Sequence, residues 1–343
     1  MLNIAVVAGG YSDEYVISLK SCELVYESLN PEKYNRIRVR VLKEGWYAEI
    51  DGNKFEIDKR DFSFEENGKK VKFDCIVNII HGTPGEDGYM QAYWELIGIP
   101  FTGCNFYQSA LTFNKKDCIA VLEKYGIPHA KSVYIKAPKL FASANNPKGR
   151  IFDESQIDEI INKIGLPCFV KPNQSGSSLG ISKVKSKEEF EPALEKAFKE
   201  DHEVLVEAFL DGTEVSVGVI KFNGKTKVVG ITEIVSHNDF FDYEAKYEGA
   251  SDEITPARID EETRRKVEEI SIKAYDSLQM TGISRSEFII VDGIPYFLEM
   301  NTLPGFSPAS IFPQQANYSG LNLQDLFDSE IELALKRTNL WKE

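Results

Sequence analysis

The run Phe169-Val170-Lys171-Pro172-Asn173-Gln174-Ser175-Gly176-Ser177-Ser178-Leu179-Gly180 delivers a lysine from an apolar strand into a loop of small residues. Such a loop can fold its backbone N–H groups over a phosphate chain while the lysine acts as a point charge. No Gly-Lys-Ser/Thr leads into a helix, so this is not a Walker A loop. Further on, Arg285-Ser286-Glu287 and Leu298-Glu299-Met300-Asn301 flank Asp292-Gly293-Ile294. Glu299 and Asn301, two apart on a strand, share a face. A three-residue loop at 292–294 sets Glu287 opposite Glu299 and Arg285 opposite Asn301. A two-residue loop shifts the register and turns Glu287 to the other face. Hard oxygen ligands of this kind suit Mg²⁺ bridged to phosphates rather than zinc. Without a cation, Arg285 alone would have to neutralise both carboxylates.

Two further runs follow apolar strands. Val7-Ala8-Gly9-Gly10-Tyr11-Ser12-Asp13-Glu14 places glycines where a backbone can approach a ligand, with Ser12 or Asp13 as a helix cap. Positions 9, 11 and 14 are Gly, Tyr and Glu, so the dinucleotide fingerprint fails at two of its three glycines and a nicotinamide dehydrogenase is disfavoured. His81-Gly82-Thr83-Pro84-Gly85-Glu86-Asp87-Gly88 puts a histidine at the C-terminal end of a strand, where α/β sheets bind ligands. Glu86 and Asp87 are accounted for by the helix dipole alone.

The elements that must position these residues alternate. Ile4–Val7 reads as a strand, Glu14–Leu29 as a helix, Phe73–Ile80 as a buried strand, Asp87–Ile97 as a helix and Ile99–Thr102 as a strand. That rhythm implies a mostly parallel sheet covered by helices, with Glu44–Lys72 as an edge hairpin. Ser109–Tyr125 reads as one helix, stopped by Gly126 and Pro128. Ala137–Phe152, rich in Pro, Asn, Ser and Lys, looks like an exposed insertion. Helices at Ser155–Ile164, Lys187–Glu200 and Glu261–Met280 alternate with strands at Cys168–Lys171, Gly180–Val184, Glu203–Glu207, Glu214–Lys221 and Val228–Glu233. A hairpin over Arg285–Met300 and a helix from about Leu323 to Leu335 close the chain. The divisions expected are 1–104, 105–207 and 208–343.

The 343 residues carry 40 Lys plus Arg against 54 Asp plus Glu, a net charge of −14, which disfavours nucleic-acid and anionic-membrane binding. No run approaches the ~18 apolar residues of a membrane span, and no secretory signal is visible. Five cysteines without a Cys-x-x-Cys pair read as reduced thiols in a cytoplasmic protein.

Taken together, the chain resembles the ATP-grasp ligases, and more narrowly the D-alanine–D-alanine ligases. The resemblance runs from Gly9-Gly10, Glu14 and Ser18 through His81–Gly88, Lys115, Lys171–Gly180, Glu207–Glu214 and Tyr243-Glu244-Ala245-Lys246-Tyr247 to Arg285 and Asn301–Gly305. It implies an ATP-grasp fold, α/β and α+β, with an N-terminal doubly wound parallel-sheet domain and ATP between the other two. It implies ligation of two D-alanines to D-alanyl-D-alanine through an acylphosphate, in a cytoplasmic homodimer. By position, Lys115 and Lys171 would hold ATP phosphates under the loop of Ser175, Gly176 and Ser178. Glu207, Ala208, Phe209 and Leu210 would form the adenine-side hinge, and Glu214 would bind the ribose. Glu287, Glu299 and Asn301 would hold two Mg²⁺, with Mn²⁺ as a substitute. Glu14 would anchor the first D-alanine's ammonium beside His81, supported by Ser177 and Tyr247. Arg285 would stabilise the oxyanion. Ser310 and Lys246 would face the second carboxylate or the phosphates, near Gly305 and Ile311. The stretch Ser236–Ala250 is expected to act as a lid, whose Tyr247 favours D-alanine as acceptor. A nucleotide-binding module without catalysis would have no reason to keep Glu287, Glu299, Asn301 and Arg285 together; the other reading is an ATP-grasp ligase for a different carboxylate and amine.

Overall fold

The computed structural model describes residues 1–137, 154–237, 251–307 and 309–337. The first sheet begins with β1 (Leu2–Gly9), continues through helix α1 (Tyr15–Ser28) into β2 (Tyr34–Leu42), then folds back as β3 (Gly45–Ile50) and β4 (Asn53–Glu56). A small pair, β5 (Phe64–Glu66) and β6 (Lys69–Val71), precedes β7 (Cys75–Asn78). The strand order is β4-β3-β2-β1-β7. β1 pairs in parallel with β2 and β7, whereas β2–β3 and β3–β4 are antiparallel. The edge hairpin expected after residue 44 is therefore β3–β4. The third parallel strand, read at 99–102, is reduced to one bridge, Phe101 on Ile76.

β1 is buried on both faces, as a central parallel strand must be. Ile4, Val6 and Ala8 pack with Cys22 and Val25 of α1. Ala5 and Val7 pack with Met90 and Trp94 of α2 (Tyr89–Ile97). This two-sided cover makes the sheet doubly wound. β2 was not anticipated from the sequence. Its buried Ile37, Val39 and Val41 alternate with Arg36, Arg38 and Arg40, and a charged partner face disguises a strand. The arginines are tolerated because Arg38 and Arg40 meet Glu23 of α1, and Arg40 also meets Glu49, at 2.7–3.1 Å.

The single helix expected at 109–125 is two: α3 (Phe106–Phe113) and α4 (Lys115–Glu123). Asn114 is extended and its side chain accepts the Asp117 N–H at 3.0 Å, so it caps a new helix instead of continuing the old one. The second sheet, β10-β9-β11-β8, comprises β8 (Ser132–Lys136), β9 (Cys168–Pro172), β10 (Ser182–Val184) and β11 (Glu203–Ala208). Helices α5 (Glu154–Ile164) and α6 (Phe190–Ala197) cover it through Ile157, Ile164, Phe190 and Leu194.

The third sheet, β14-β13-β12-β15-β16, is built from β12 (Thr213–Phe222), β13 (Lys225–Ser236), β14 (Ser251–Ile254), β15 (Ile283–Val291) and β16 (Ile294–Asn301). Helix α7 (Glu261–Ser277) shares a core with it and with α4, through Val267, Tyr275, Cys118 and Leu122. Helices α8 (Ile311–Tyr318) and α9 (Leu323–Lys336) place Phe312, Phe327 and Ile331 in the same core as β1 and α1, so the two ends of the chain are packed together.

The β15–β16 hairpin corrects the expected loop. Val291 pairs with Ile294, leaving the two-residue turn Asp292-Gly293, both at positive φ. That turn alone would misalign the carboxylates. A bulge at Leu298 absorbs one residue, after which Glu287 stands opposite Glu299 and Arg285 opposite Asn301. The expected pairing thus holds through a different device.

The loop after β7 is folded tightly over Ile80. The Asn78 side chain donates to the Gly85 carbonyl at 3.0 Å, and Gln91 donates to the same oxygen. A Cβ on residue 85 would stand 2.3 Å from the Ile80 Cβ and 2.4 Å from its carbonyl oxygen. Gly85→Ala should therefore cost about 1–3 kcal/mol of stability, as overpacking does. Urea unfolding checks this, and an unchanged midpoint would show that the loop has room.

Candidate functional site

Two adjoining cavities, of about 520 and 460 Å³, open where the three sheets meet. Both are lined by Lys115, Ser175, Gly176, Ser177 and Glu299, so these residues mark their junction. The larger is also lined by Glu14, His81, Glu86, Glu253, Arg285, Asn301, Gly305, Ser310 and Ile311. The smaller adds Lys171, Ser178, Glu207–Glu214, Glu287 and the apolar side chains of Phe169, Ile181, Ile289 and Leu298. One cavity is therefore polar and charged at its walls, and the other has an apolar end suited to a flat heterocycle.

The loop between β9 and β10 separates them. Ser177 and Ser178 are both left-handed, with φ of 51° and 56°. Each such residue costs on the order of 1–3 kcal/mol, a strain that persists only where the surroundings enforce it. The enforcement is visible. Ser177 Oγ donates to Glu14 Oε1 of the first βα turn, and Lys115 Nζ donates to the Ser175 carbonyl at 2.8 Å. A Cβ on residue 176 would stand 2.7 Å from both Glu14 carboxylate oxygens, so a side chain there would push the Glu14 carboxylate from its present place.

Glu14 is the N-cap of α1 but makes no side-chain cap, and neither Ser12 nor Asp13 takes the capping role expected of it. Ser12 Oγ reaches the His81 carbonyl instead, and Gly9 and Gly10 pack against Val41 and His81 rather than lining a cavity. Ser18 Oγ ties the end of β1 to that of β7, accepting from Gly9 N at 2.8 Å and donating to the Ile79 carbonyl at 2.5 Å. His81 is buried, with Nε2 3.1 Å from Ser21 Oγ, which also accepts the Phe306 N–H at 3.0 Å. Burial first, and the Arg285 charge to a lesser degree, push its imidazole down to about 4, so it is neutral at pH 7.

The charged groups at the junction compensate one another. Arg285 Nε donates to Glu287 Oε1 at 2.7 Å, and Ser216 Oγ donates to the same oxygen at 3.3 Å. Lys115 Nζ lies 3.2 Å from Glu299 Oε2, and Lys171 Nζ lies 2.5 Å from Glu207 Oε2. Each of the two facing carboxylates therefore meets its own cation, drawn from a different element. Among the described residues, no group of three or more His, Cys, Asp or Glu side chains gathers as a metal cluster. The set Glu287, Glu299 and Asn301 nevertheless fits a hard cation. Its donors are oxygens on facing strand positions, and Glu287 Oε2 is buried without a hydrogen-bond partner.

Lys246, Tyr247 and the rest of the expected lid beyond His237, with most of the expected insertion, lie outside the described residues, while Ser236 ends β13 and pairs with Ser251. The expected hinge residue Phe209 stands 6.2 Å from Phe169 at the apolar end. Other lining groups are not among the expected site residues, among them Lys183, whose Nζ lies 4.1 Å from the Phe209 ring centroid. Strand alternation from Ile181 was the available signal for Lys183. Glu253 of β14 accepts from Gln314 Nε2 at 3.1 Å, and burial raises its carboxyl above the ordinary range. Glu86, read as a dipole partner, instead lines the larger cavity and accepts the Gly82 N–H at 2.6 Å.

Comparison with known proteins is consistent across the whole chain. The family described as D-ala D-ala ligase N-terminus matches residues 3–104, and D-ala D-ala ligase C-terminus matches residues 121–332. A D-alanine--D-alanine ligase of Flavobacterium psychrophilum is 56% identical over 342 residues, covering 100% of both chains. The crystal structure of D-alanyl-alanine synthetase A from Vibrio cholerae superposes with a TM-score of 0.84 at 28% identity, covering 98% of this chain and 99% of that one. The Bacillus anthracis D-alanine--D-alanine ligase complexed with ATP gives 0.74 at 28% identity, covering 98% of each.

Glu86 offers a pH test of the site's electrostatics. Burial first, and the Glu14 carboxylate second, push its carboxyl up to about 8. An unfolded glutamate titrates near ~4.3, so between these values the unfolded chain has released a proton that the folded protein retains. Stability therefore falls as pH rises through that window. Glu86→Gln should stabilise the protein relative to the parent at about pH 9, with the gain shrinking toward about pH 4. Urea unfolding at both values measures it, and an equal difference at the two would refute a raised Glu86 carboxyl.

Proposed function

From the premise that the chain belongs to the D-alanine–D-alanine ligase family, we propose that the larger cavity binds the two D-alanines and the smaller one ATP. The reaction is ATP-dependent ligation of two D-alanines to D-alanyl-D-alanine, ADP and phosphate, through an acylphosphate, for peptidoglycan precursor synthesis. The observation that carries the assignment of residues is the shared lining of the two cavities by Lys115, Ser175–Ser177 and Glu299. A donor carboxylate and a terminal phosphoryl group can meet only there.

The adenine lies between Phe169, Phe209, Ile289 and Leu298, against the backbone of Glu207–Leu210, with Glu214 at the ribose. Lys115 and Lys171 neutralise the phosphates beneath the strained loop, exchanging their present carboxylate partners for phosphate oxygens. The first D-alanine sets its ammonium on Glu14, whose other support is the Ser177 hydroxyl. His81 beside it is neutral and so does not repel that ammonium. Its carboxylate attacks the terminal phosphorus in line, a step catalysed by positioning and by charge already in place. The second D-alanine places its carboxylate at the N-terminus of α8, by Ser310 and Ile311 with Gly305 alongside, and its amine attacks the acylphosphate carbonyl. Arg285, aimed by Glu287, stabilises the oxyanion that forms. Glu287, Glu299 and Asn301 would hold Mg²⁺, with Mn²⁺ as a substitute, and such a cation supplies charge neutralisation between phosphates and carboxylates. Lys246 and Tyr247 complete the set by family position.

No described helix is long and apolar enough to cross a membrane; a cytoplasmic location follows from the family's substrates and the five unpaired thiols. A homodimer through α2 and α3 accounts for Tyr89, Leu96 and Tyr107, which are 72%, 83% and 58% exposed on these two adjoining helices. Sedimentation equilibrium should give twice the chain mass, and a monomer at assay concentrations would remove it.

Phosphate release from ATP, measured with a panel of D- and L-amino acids, is the decisive assay. Release with D-alanine and not L-alanine is expected; indifference to the amino acid would refute the substrate cavity. Glu299→Gln should keep the fold and cut release by roughly 100-fold or more, the scale for losing one group that stabilises transition-state charge. Parent-like release would move the phosphate-transfer centre away from this hairpin.

A further inference from the structure

Behind the phosphate loop sits a side chain that touches neither cavity. Asn173 follows β9 directly and is fully buried. Its hydrogen-bonding groups are engaged on both sides. Its backbone N–H donates to the Glu203 carbonyl at 2.8 Å, and its backbone carbonyl accepts the Lys115 N–H at 3.1 Å. Its side-chain Oδ1 accepts the Lys116 N–H at 2.9 Å, and Nδ2 donates to Glu203 Oε2 at 3.0 Å. Glu203 Oε1 is held in turn by the Tyr134 hydroxyl, and the adjacent Gln174 N–H is held by Asp201 at 2.7 Å.

These bonds add to the Lys115 Nζ–Ser175 contact in joining the start of α4 to the end of β9. Lys171 leaves β9 two residues before Asn173, and Lys115 is the first residue of α4. The first turn of a helix has N–H groups with no partner inside the helix. Here the Asn173 side chain and backbone supply partners for two of them and anchor the amide to β11. A polar group buried this completely is costly unless each bond is made, so the arrangement is geometrically specific.

Resting on the assignment of ATP to the smaller cavity, we propose that Asn173, locked by Glu203, is the positioning residue that fixes Lys115 relative to Lys171 and thereby sets the affinity for the nucleotide's phosphates. It acts on the phosphates and not on the base. The apolar end of the cavity is lined by Phe169, Phe209, Ile289 and Leu298, to which the amide makes no hydrogen bond.

The test exploits the donor and acceptor pattern. Asn173→Asp keeps the acceptor toward Lys116 but sets a carboxylate against the Glu203 carboxylate, breaking the lock. Adding Glu203→Gln restores a donor on the other side, so that the pair is rebuilt with its roles exchanged. Calorimetry is run with ATP and with adenosine on parent, Asn173→Asp and the double variant. ATP affinity should fall about tenfold in the single variant, the scale of ~1.4 kcal/mol, and return to within about twofold of the parent in the double variant, as a direct pair requires. Adenosine affinity should stay constant throughout. Equal ATP affinities in all three proteins would overturn the proposal, as would a parallel loss of ATP and adenosine binding, which marks general damage to the domain. A folded double variant that remains as weak as the single one would also overturn it. If Asn173→Asp does not fold, Glu203→Gln alone, which weakens the lock without a buried repulsion, must show the same selective loss of ATP over adenosine. A parent that binds neither ATP nor adenosine would instead overturn the nucleotide assignment itself.

Discussion

Two carboxylates facing each other across a β-ladder repel, and the junction of this protein is arranged around that constraint. Glu287 and Glu299 are paired positions on β15 and β16. Like charges directly opposite are destabilising unless cations intervene. Arg285 meets one and Lys115 the other. The second cation comes from α4, far away in sequence, so the hairpin cannot be electrically satisfied until α4 docks on the third sheet. α4 does dock, through Cys118, Ile119 and Leu122, in the core that also holds Phe288 and Phe297. Charge compensation and hydrophobic packing therefore select the same arrangement.

The same economy governs the other side of the junction. Glu14 comes from the first sheet and Ser177 from the second, and their hydrogen bond spans 163 residues of sequence. Ser21 receives the Phe306 N–H from the segment that follows β16. The groups that line the two cavities are thus drawn from all three sheets. A site at such a meeting point excludes water once its walls approach, which strengthens the electrostatic interactions within it. The neutral state of His81 follows from the same burial.

Local strain is concentrated where these contacts converge. Ser177 and Ser178 adopt conformations that serine disfavours, and the bonds from Lys115 and to Glu14 hold them there. The gain is pre-organisation: the loop's conformation is held before any ligand arrives, so less ordering remains for binding to impose.

The sequence by itself determined the parts whose signal is local. β1 and α1 follow from periodicity, the β9 strand and its lysine from an apolar run ending in small residues, and the common face of Glu299 and Asn301 from strand alternation. The family followed from motifs spread along the chain, because each motif is a short run of fixed spacing. Tertiary structure alone decided what depends on partners remote in sequence. The arginine-rich β2 is a strand because Glu23 and Glu49 neutralise its polar face. The helix breaks at Asn114 because that side chain caps α4. The carboxylates align through a bulge at Leu298, not through the turn, since a two-residue turn by itself sets the opposite register. Glu86 changes from a dipole partner to a half-buried cavity carboxyl because the Gly82 N–H and the neighbouring Glu14 charge, both remote from its helix dipole, set its surroundings. Spacing fixes which side chains share a face; only the folded contacts fix which charge each one meets.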